Sequence, residues 1–542
     1  MKVLNIMRIL FTLLLSTMVK WCDAQKPNIV FIFADDLGWN DVSFHGSDQI
    51  MTPNIDLLAY SGVALGRYYS HAICTPSRSA FFTGKFAHRT GMQGYPLLMS
   101  EDAGIPLSET LLPEYLKAAG YATHLVGKWH VGSSRNEYLP TARGFDSHFG
   151  HRGGYVDYYD YTVEETFDPV GTVCGLPLYR NLTPAWDVEG YITDVYTDQA
   201  TSVIDKHNVS TPLFLMVGHN APHAGNPSAE LQAPPEEVRK LRYIELASRR
   251  MYAAMVKKLD DSVGEIMQAL HKKGILDNTI ISFVSDNGGM TTGPYRNYAS
   301  NYPLRGIKTT PFEGGVRVVG ALWSSKLNNT EHYWNGYMHV ADWMPTLLHA
   351  AEVDIPSGLD GINQWKNINS NGPSDRTVMY ELNDVLGFNA VVNGDYKLVS
   401  GKVYPTFSNH QGSHLSGIVG DAPSYEKAIL NSKLYKVLDA FGRPFDASDL
   451  SLRSKTKIDC DPIPATVCLP DNETVCLFNI IEDPCETKDL SKEHPELLAK
   501  MKDMLDKEIA ARIPRIVFRN PLSSPRRFNF TWTTFASESN LL

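Results

Sequence analysis

A chain of 542 residues, 43% hydrophobic and 20% charged, can fill one large core and a smaller second one. Its formal net charge of -10 argues against nucleic-acid binding, which leaves a basic footprint. It also gives no overall attraction for a sulfated or phosphorylated polymer, so an anionic ligand has to be captured locally.

The N-terminus carries Lys2 and Arg8, an apolar run from Ile9 to Val19 and a small-residue exit, "CDA", before Gln25. This is the layout of a secretory signal peptide, residues 1–24, cleaved near Ala24. The run is shorter than the ~20 apolar residues needed to span a bilayer, so it does not read as a membrane anchor. The chain is expected to enter the secretory pathway and to end as a lysosomal or secreted protein. Sequons at Asn181, Asn208, Asn328, Asn472 and Asn529 agree with that route.

From residue 25 to 375 short apolar runs alternate with helical patterns, which predicts an α/β domain built on a mostly parallel sheet. The strands that matter are "NIVFIFA" (Asn28 to Ala34), "THLV" (Thr123 to Val126), "LFLMV" (Leu213 to Val217) and "IISFVS" (Ile280 to Ser285). Between the last two, Tyr252, Met255, Val256, Leu259, Val263, Ile266, Met267 and Leu270 recur at helical spacing and read as core packing alone. From 376 to 542 the character changes. Asn393-Gly394 between strand-like arms signals a hairpin, and a charged amphipathic helix is expected around Pro495 to Ala511, giving a small α+β unit with an antiparallel sheet.

Of seven cysteines, Cys22 leaves with the signal and Cys460, Cys468, Cys476 and Cys485 cluster near the C-terminus, as disulfides in an oxidising compartment do. Cys476–Cys485 is the pair expected first and Cys460–Cys468 the next, with other connectivities open.

Each of the four strands runs into unusual polar residues: Asp35-Asp36, Gly127-Lys128-Trp129-His130, Gly218-His219 with His223, and Asp286-Asn287-Gly288-Gly289. Singly these are unremarkable, since Asp-Asp is usually a cap and Asp-Asn-Gly-Gly a turn. Ligands of open parallel sheets bind beyond the carboxyl ends of the strands, so the four sets can converge. Asp35, Asp36, Asp286 and Asn287 offer oxygen ligands that suit a hard cation, Ca²⁺ before Mg²⁺. In "SHAICTPSRSAFFTGK", Thr75 is expected to cap and Pro76 to start a helix, which puts Cys74 at the positive end of its dipole, where anions bind. A thiolate nucleophile is one reading of Cys74. A nearby hard-cation site, a poor partner for sulfur, argues against it.

"CTPSRSAFFTGK" resembles the Cys-x-Pro-Ser-Arg signature of the sulfatases, and "GYATHLVGKWHVG" resembles their second signature. The resemblance runs from "KPNIVFIFADDLGWNDV" through "PLRGIKTTPFEGGVRV" and "HVADWMPTLLHAA" to "CLFNIIEDPCE", and looks strongest toward the arylsulfatase B (N-acetylgalactosamine-4-sulfatase) branch. It implies an alkaline-phosphatase-like α/β sandwich with a smaller C-terminal α+β part. It also implies that Cys74 is oxidised to formylglycine by the formylglycine-generating enzyme during secretion. By the same resemblance Asp35, Asp36, residue 74, Asp286 and Asn287 bind Ca²⁺, and Arg78 and Lys128 hold the hydrated formylglycine. His130 takes the proton that releases sulfate from residue 74, and His223 and Lys308 bind the substrate sulfate and assist the leaving oxygen. His219 competes with His223, but "APHAG" matches the family's position for His223, which leaves His219 to the fold.

The implied substrate is N-acetylgalactosamine 4-sulfate in chondroitin or dermatan sulfate. Small sulfated glucosides or aryl sulfates such as glucosinolates are the second reading, favoured slightly by the stretch Gly150 to Glu165, whose aromatics suit a ring and whose acids would repel a polyanion. A phosphoester hydrolase and an inactive binding protein are more remote. The first would call for a second carboxylate and histidine cluster, and drift toward the second would break some member of the constellation.

Overall fold

The structure is a computed structural model that describes residues 26–329, 332–412, 417–449, 451–460, 463 and 467–537. The expected signal peptide and Cys22 lie outside the described residues.

Among the described residues twelve strands precede residue 340: β1 (Asn28–Ala34), β2 (Val63–Tyr69), β3 (Ala122–Gly127), β4 (Ser147–His151), β5 (Val163–Phe167), β6 (Gly171–Gly175), β7 (Leu178–Arg180), β8 (Thr183–Pro184), β9 (Leu213–Gly218), β10 (Thr279–Ser285), β11 (Gly320–Ser324) and β12 (Tyr333–His339). Ten of them form one sheet in the order β12-β2-β11-β10-β1-β9-β3-β4-β7-β8, and β5 and β6 pair separately. The four predicted runs become β1, β3, β9 and β10 of its parallel centre, β10-β1-β9-β3-β4, in which β4 was not expected, while β11, β7 and β8 join antiparallel at its flanks. Strands β1, β9 and β10 are buried along their whole length, as strands covered on both faces must be. Alternation in β1 shows the two layers directly. Val30, Ile32 and Ala34 enter one core, and Ile29, Phe31 and Phe33 enter the other with Phe81, Phe82 and Trp343. This is the mixed, mostly parallel sandwich of the alkaline-phosphatase type.

The helix Ala247–Lys273 covers the first face, and every residue of its predicted stripe is buried. It also buries Asp260, a polar interruption of that stripe with a structural purpose. Its carboxylate accepts the amides of Asn54 (2.8 Å) and Ile55 (2.9 Å) and the Asn54 side chain (2.8 Å), capping the helix Pro53–Ser61, which has no side-chain cap of its own. Asp260→Ala strands these buried donors, at ~1–3 kcal/mol for each buried donor left unsatisfied. We expect a total loss of about 3 kcal/mol, read as a lower denaturant midpoint with an unchanged slope.

A second sheet, β13 (Val378–Asn383), β14 (Phe388–Asn393), β15 (Tyr396–Gly401) and β16 (Cys476–Asn479), is antiparallel throughout. The predicted hairpin is β14-β15. Asn393 pairs with Tyr396, so the loop is Gly394-Asp395, and Gly394 at φ +60 supplies the positive φ that a type II′ turn needs at its first central position. The helix Pro495–Ala511 lays Met501 and Leu505 against this sheet. Other parts of the C-terminal region return to the first layer. Tyr425, Leu434 and Leu438 enter its core, and residues 512–537 run back as a strap bonded to His88, Ser100, Leu176 and Ser134.

The disulfide pairing differs from expectation. The bonds are Cys460–Cys485 and Cys468–Cys476, with Cα separations of 6.3 and 6.0 Å. β16 and the turn after it carry Cys485 away from Cys476, since a strand rises ~3.3 Å per residue while a disulfide tolerates ~7 Å between Cα atoms. Cys74 is a buried free cysteine and Cys174 an exposed one.

Candidate active site

The helix Cys74–Thr83 starts two residues earlier than the sequence suggests, and Ile73, not Thr75, holds the capping position. Thr75 is diverted from capping because its hydroxyl is used elsewhere: it accepts the Leu97 amide at 3.0 Å and lies 3.1 Å from His130 Nε2. Cys74 is thus the first residue of the helix, at its positive end.

Around it the four strand ends do converge. Lys128 Nζ lies 2.7 Å from Asp35 Oδ2, Arg78 Nη2 lies 2.9 Å from Asp286 Oδ2, and Lys308 Nζ lies 2.7 Å from Asp36 Oδ1. His223 Nε2 is 3.5 Å from Asp36 Oδ2, its ring stacked on Tyr155. Asn287 donates to Asp36 Oδ1 at 2.7 Å. His219 turns away into the fold, 2.9 Å from Ser262 on the long helix. The backbone is strained here, because Asp36, His130 and Thr309 all hold positive φ (+61, +62 and +72) without being glycine. Each such residue costs ~1–3 kcal/mol and persists only where its surroundings impose it. Gly154 answers one of these needs, since a Cβ there would lie 2.8 Å from His130 Nε2.

These buried charges shift one another. Burial opposes ionisation of Asp36, but Lys308 and then His223 outweigh it and hold its carboxyl below the ordinary value. Burial, followed by the Asp35 charge, pushes Asp286 up. Burial would strip the proton from Lys308, yet Asp36 keeps the ammonium charged. His130 is driven well below its ordinary value by burial, then by Lys128 and Arg78, and stands neutral.

Two buried oxygens in this cluster, Asp35 Oδ1 and Asn287 Oδ1, have no hydrogen-bond partner among the described residues. The groups Asp35, Asp36, His223 and Asp35, Cys74, Asp286 each offer ligand atoms within 4.8 Å of one another. Orphaned oxygens amid carboxylates fit a hard divalent cation better than they fit an empty core, where each would cost free energy.

A cavity of about 440 Å³ opens over Cys74, His130, His223 and Lys308. Of the stretch Gly150 to Glu165, only Gly154, Tyr155, Val163, Glu164 and Glu165 reach it; Asp157 and Asp160 do not. Sequence reading missed its cations, Lys402 and Arg519, and its rings Tyr95, Tyr295, Tyr404 and Phe407, which come from loops remote in the chain and carry no local signal. Glu165 faces inward to the Met99 and Ser100 amides, and burial pushes its carboxyl up to about 7. A carboxyl raised in the folded state gives stability that is complete below about pH 4.5 and lost as pH rises through 7. The advantage of wild type over Glu165→Gln should therefore shrink by about 3 kcal/mol from pH 4.5 to 7.5, measured as unfolding free energy at each pH.

This α/β sandwich, with a helix N-terminus and four strand ends gathered on one anion-binding cavity, defines a hydrolase of ester oxyanions. The chain belongs to the sulfatase family: the Sulfatase model matches residues 27–353. It is an enzyme that cleaves sulfate esters. Arylsulfatase J of Mus musculus is 35% identical over 524 residues, 95% of this chain and 81% of the relative. N-acetylgalactosamine-6-sulfatase of Mus musculus is 31% identical over 409 residues, 69% of this chain and 72% of the relative. The crystal structure of Ps i-CgsB in complex with k-i-k-neocarrahexaose matches with a TM-score of 0.71 at 27% identity, over 94% of this chain and 100% of that one. Among the described residues no helix is long and apolar enough to cross a membrane.

Proposed function

We propose that this sulfatase acts through a formylglycine made from Cys74 and one bound Ca²⁺ on N-acetylgalactosamine 4-sulfate groups of chondroitin or dermatan sulfate, having met the formylglycine-generating enzyme in the secretory pathway. The observation that carries the reading is the convergence of Asp35, Asp36, Asp286 and Asn287, two of their oxygens orphaned, on the first residue of a helix. Those residues would hold the cation, which supplies positive charge to the nucleophilic oxygen and the sulfate. Hydrated formylglycine supplies two hydroxyls on one carbon: one to attack sulfur, the other to lose a proton and expel sulfate, which a serine cannot do.

The remaining roles fall to the chain's own side chains. Arg78 and Lys128, paired to Asp286 and Asp35, place positive charge beside residue 74 without being free to wander. Lys308, kept charged by Asp36, lines the cavity with His223, where the two bind the sulfate and assist the leaving oxygen. His130, neutral and buried, is the acceptor for the second hydroxyl proton.

Lys402 and Arg519 favour an anionic sugar over the smaller substrates. Neither has a carboxylate partner among the described residues, whereas Glu165, one of the two acids of that stretch that reach the cavity, is spent on backbone amides. A sulfated saccharide with a neighbouring carboxylate can use both cations and lay its rings on Tyr155 and Tyr295. Arg519→Ala and Lys402→Ala should each raise KM for a chondroitin-derived oligosaccharide about threefold to tenfold and leave a small aryl sulfate unchanged. Equal KM values on the oligosaccharide, with faster turnover of a glucosinolate than of the sugar, would favour the small-substrate reading.

A further inference from the structure

Glu165 lies on β5 at the rim of the cavity, yet its carboxylate is given to a neighbouring turn. Oε1 accepts the Met99 amide at 2.6 Å and Oε2 the Ser100 amide at 3.1 Å. On its other side the same turn is fixed by Arg515, 2.6 Å from Glu101, and by the Asn520 amide, which donates to the Ser100 carbonyl at 2.7 Å. The turn ends at the reaction centre, because the Leu97 carbonyl lies 2.9 Å from His130 Nε2. A carbonyl only accepts, so Nε2 carries the hydrogen and Nδ1 carries the lone pair. Nδ1 is buried and has no partner among the described residues.

We infer that Glu165 is a positioning residue for His130: it fixes the turn so that the Leu97 carbonyl holds the imidazole in the Nε2–H form, leaving Nδ1 as the base. This rests on the reading of His130 as the group that frees residue 74. In that step Nδ1 takes the proton of the unsulfated hydroxyl, the O–H electrons form the aldehyde C=O, and the C–O bond to sulfate breaks, its electrons leaving with sulfate. An imidazole of the other tautomer would present a hydrogen where a lone pair is required. The partner of a histidine's second nitrogen controls this choice, and at metal-bound histidines the loss of such a partner costs about 10- to 100-fold, the scale taken for this site.

The test is rapid-quench release of alcohol together with intact-protein mass, on wild type, His130→Ala, Glu165→Gln and Glu165→Asp. We expect His130→Ala to release one equivalent of alcohol and stall with a sulfo group on residue 74. Glu165→Gln should show the same burst, then steady turnover slowed about 10- to 100-fold with KM unchanged and the sulfo group accumulating. Glu165→Asp keeps the carboxyl group with a shorter reach and carries the same expectation in milder form, should Gln not fold. A His130 variant without retained sulfate removes the reading on which the inference rests. Retention in that variant, with a Glu165 variant that turns over as wild type or slows alcohol release and turnover alike, overturns the inference alone.

Discussion

Replacing Asp286 by Asn lowers kcat/KM by at least about a thousandfold while the protein stays folded. The substitution keeps the shape and an acceptor for Arg78 but removes one of the three carboxylates that would hold the cation, and a missing charged ligand at a metal-dependent centre costs ~4 kcal/mol or more of transition-state stabilisation. Asp286→Ala is the harsher variant, since it also leaves a fully buried guanidinium without its ion pair, and it should lose a further few kcal/mol of stability. The wild-type counterpart is chelation: a chelator should abolish activity, and Ca²⁺ should restore it. Full activity of either the Asn variant or the chelated enzyme would show that these carboxylates hold no catalytic cation.

Replacing Cys74 by Ser is expected to convert the enzyme into a single-turnover reagent. A serine hydroxyl at the helix N-terminus keeps the attack on sulfur but has no second hydroxyl to expel sulfate, so release of one equivalent of alcohol is followed by arrest, with steady turnover down by more than about a thousandfold. Cys74→Ala should give neither burst nor turnover. Sustained turnover by the serine variant would mean that release does not depend on a geminal diol.

Much of this site could be read before any coordinates. β1, β3, β9 and β10 announce themselves as apolar runs, and the sheet rule then assigns Asp35, Lys128, His223 and Asp286 to one edge, where they sit. The long helix was equally plain from its stripe, although Asp260 within it gains meaning only from the helix end it caps. What escaped are contacts made by long-range closure. Leu97 acts through its backbone carbonyl, which has no residue signature, and Glu165 reads in the sequence as a pocket acid that would repel a polyanion until its amide partners are placed. Arg519 and Lys402 reach the cavity only because the C-terminal strap and the second sheet fold back over it. The cysteine pairing failed for a related reason, since proximity in sequence ignored the direction of β16.

The central claim is the identity of residue 74. Mass spectrometry of the proteolytic peptide that spans it, taken from catalytically active protein secreted by a eukaryotic host, tests this most directly. The peptide is expected to carry an aldehyde in place of the thiol, trapped by a hydrazide and absent from the Cys74→Ser variant. Active protein whose peptide carries only unmodified cysteine would contradict it.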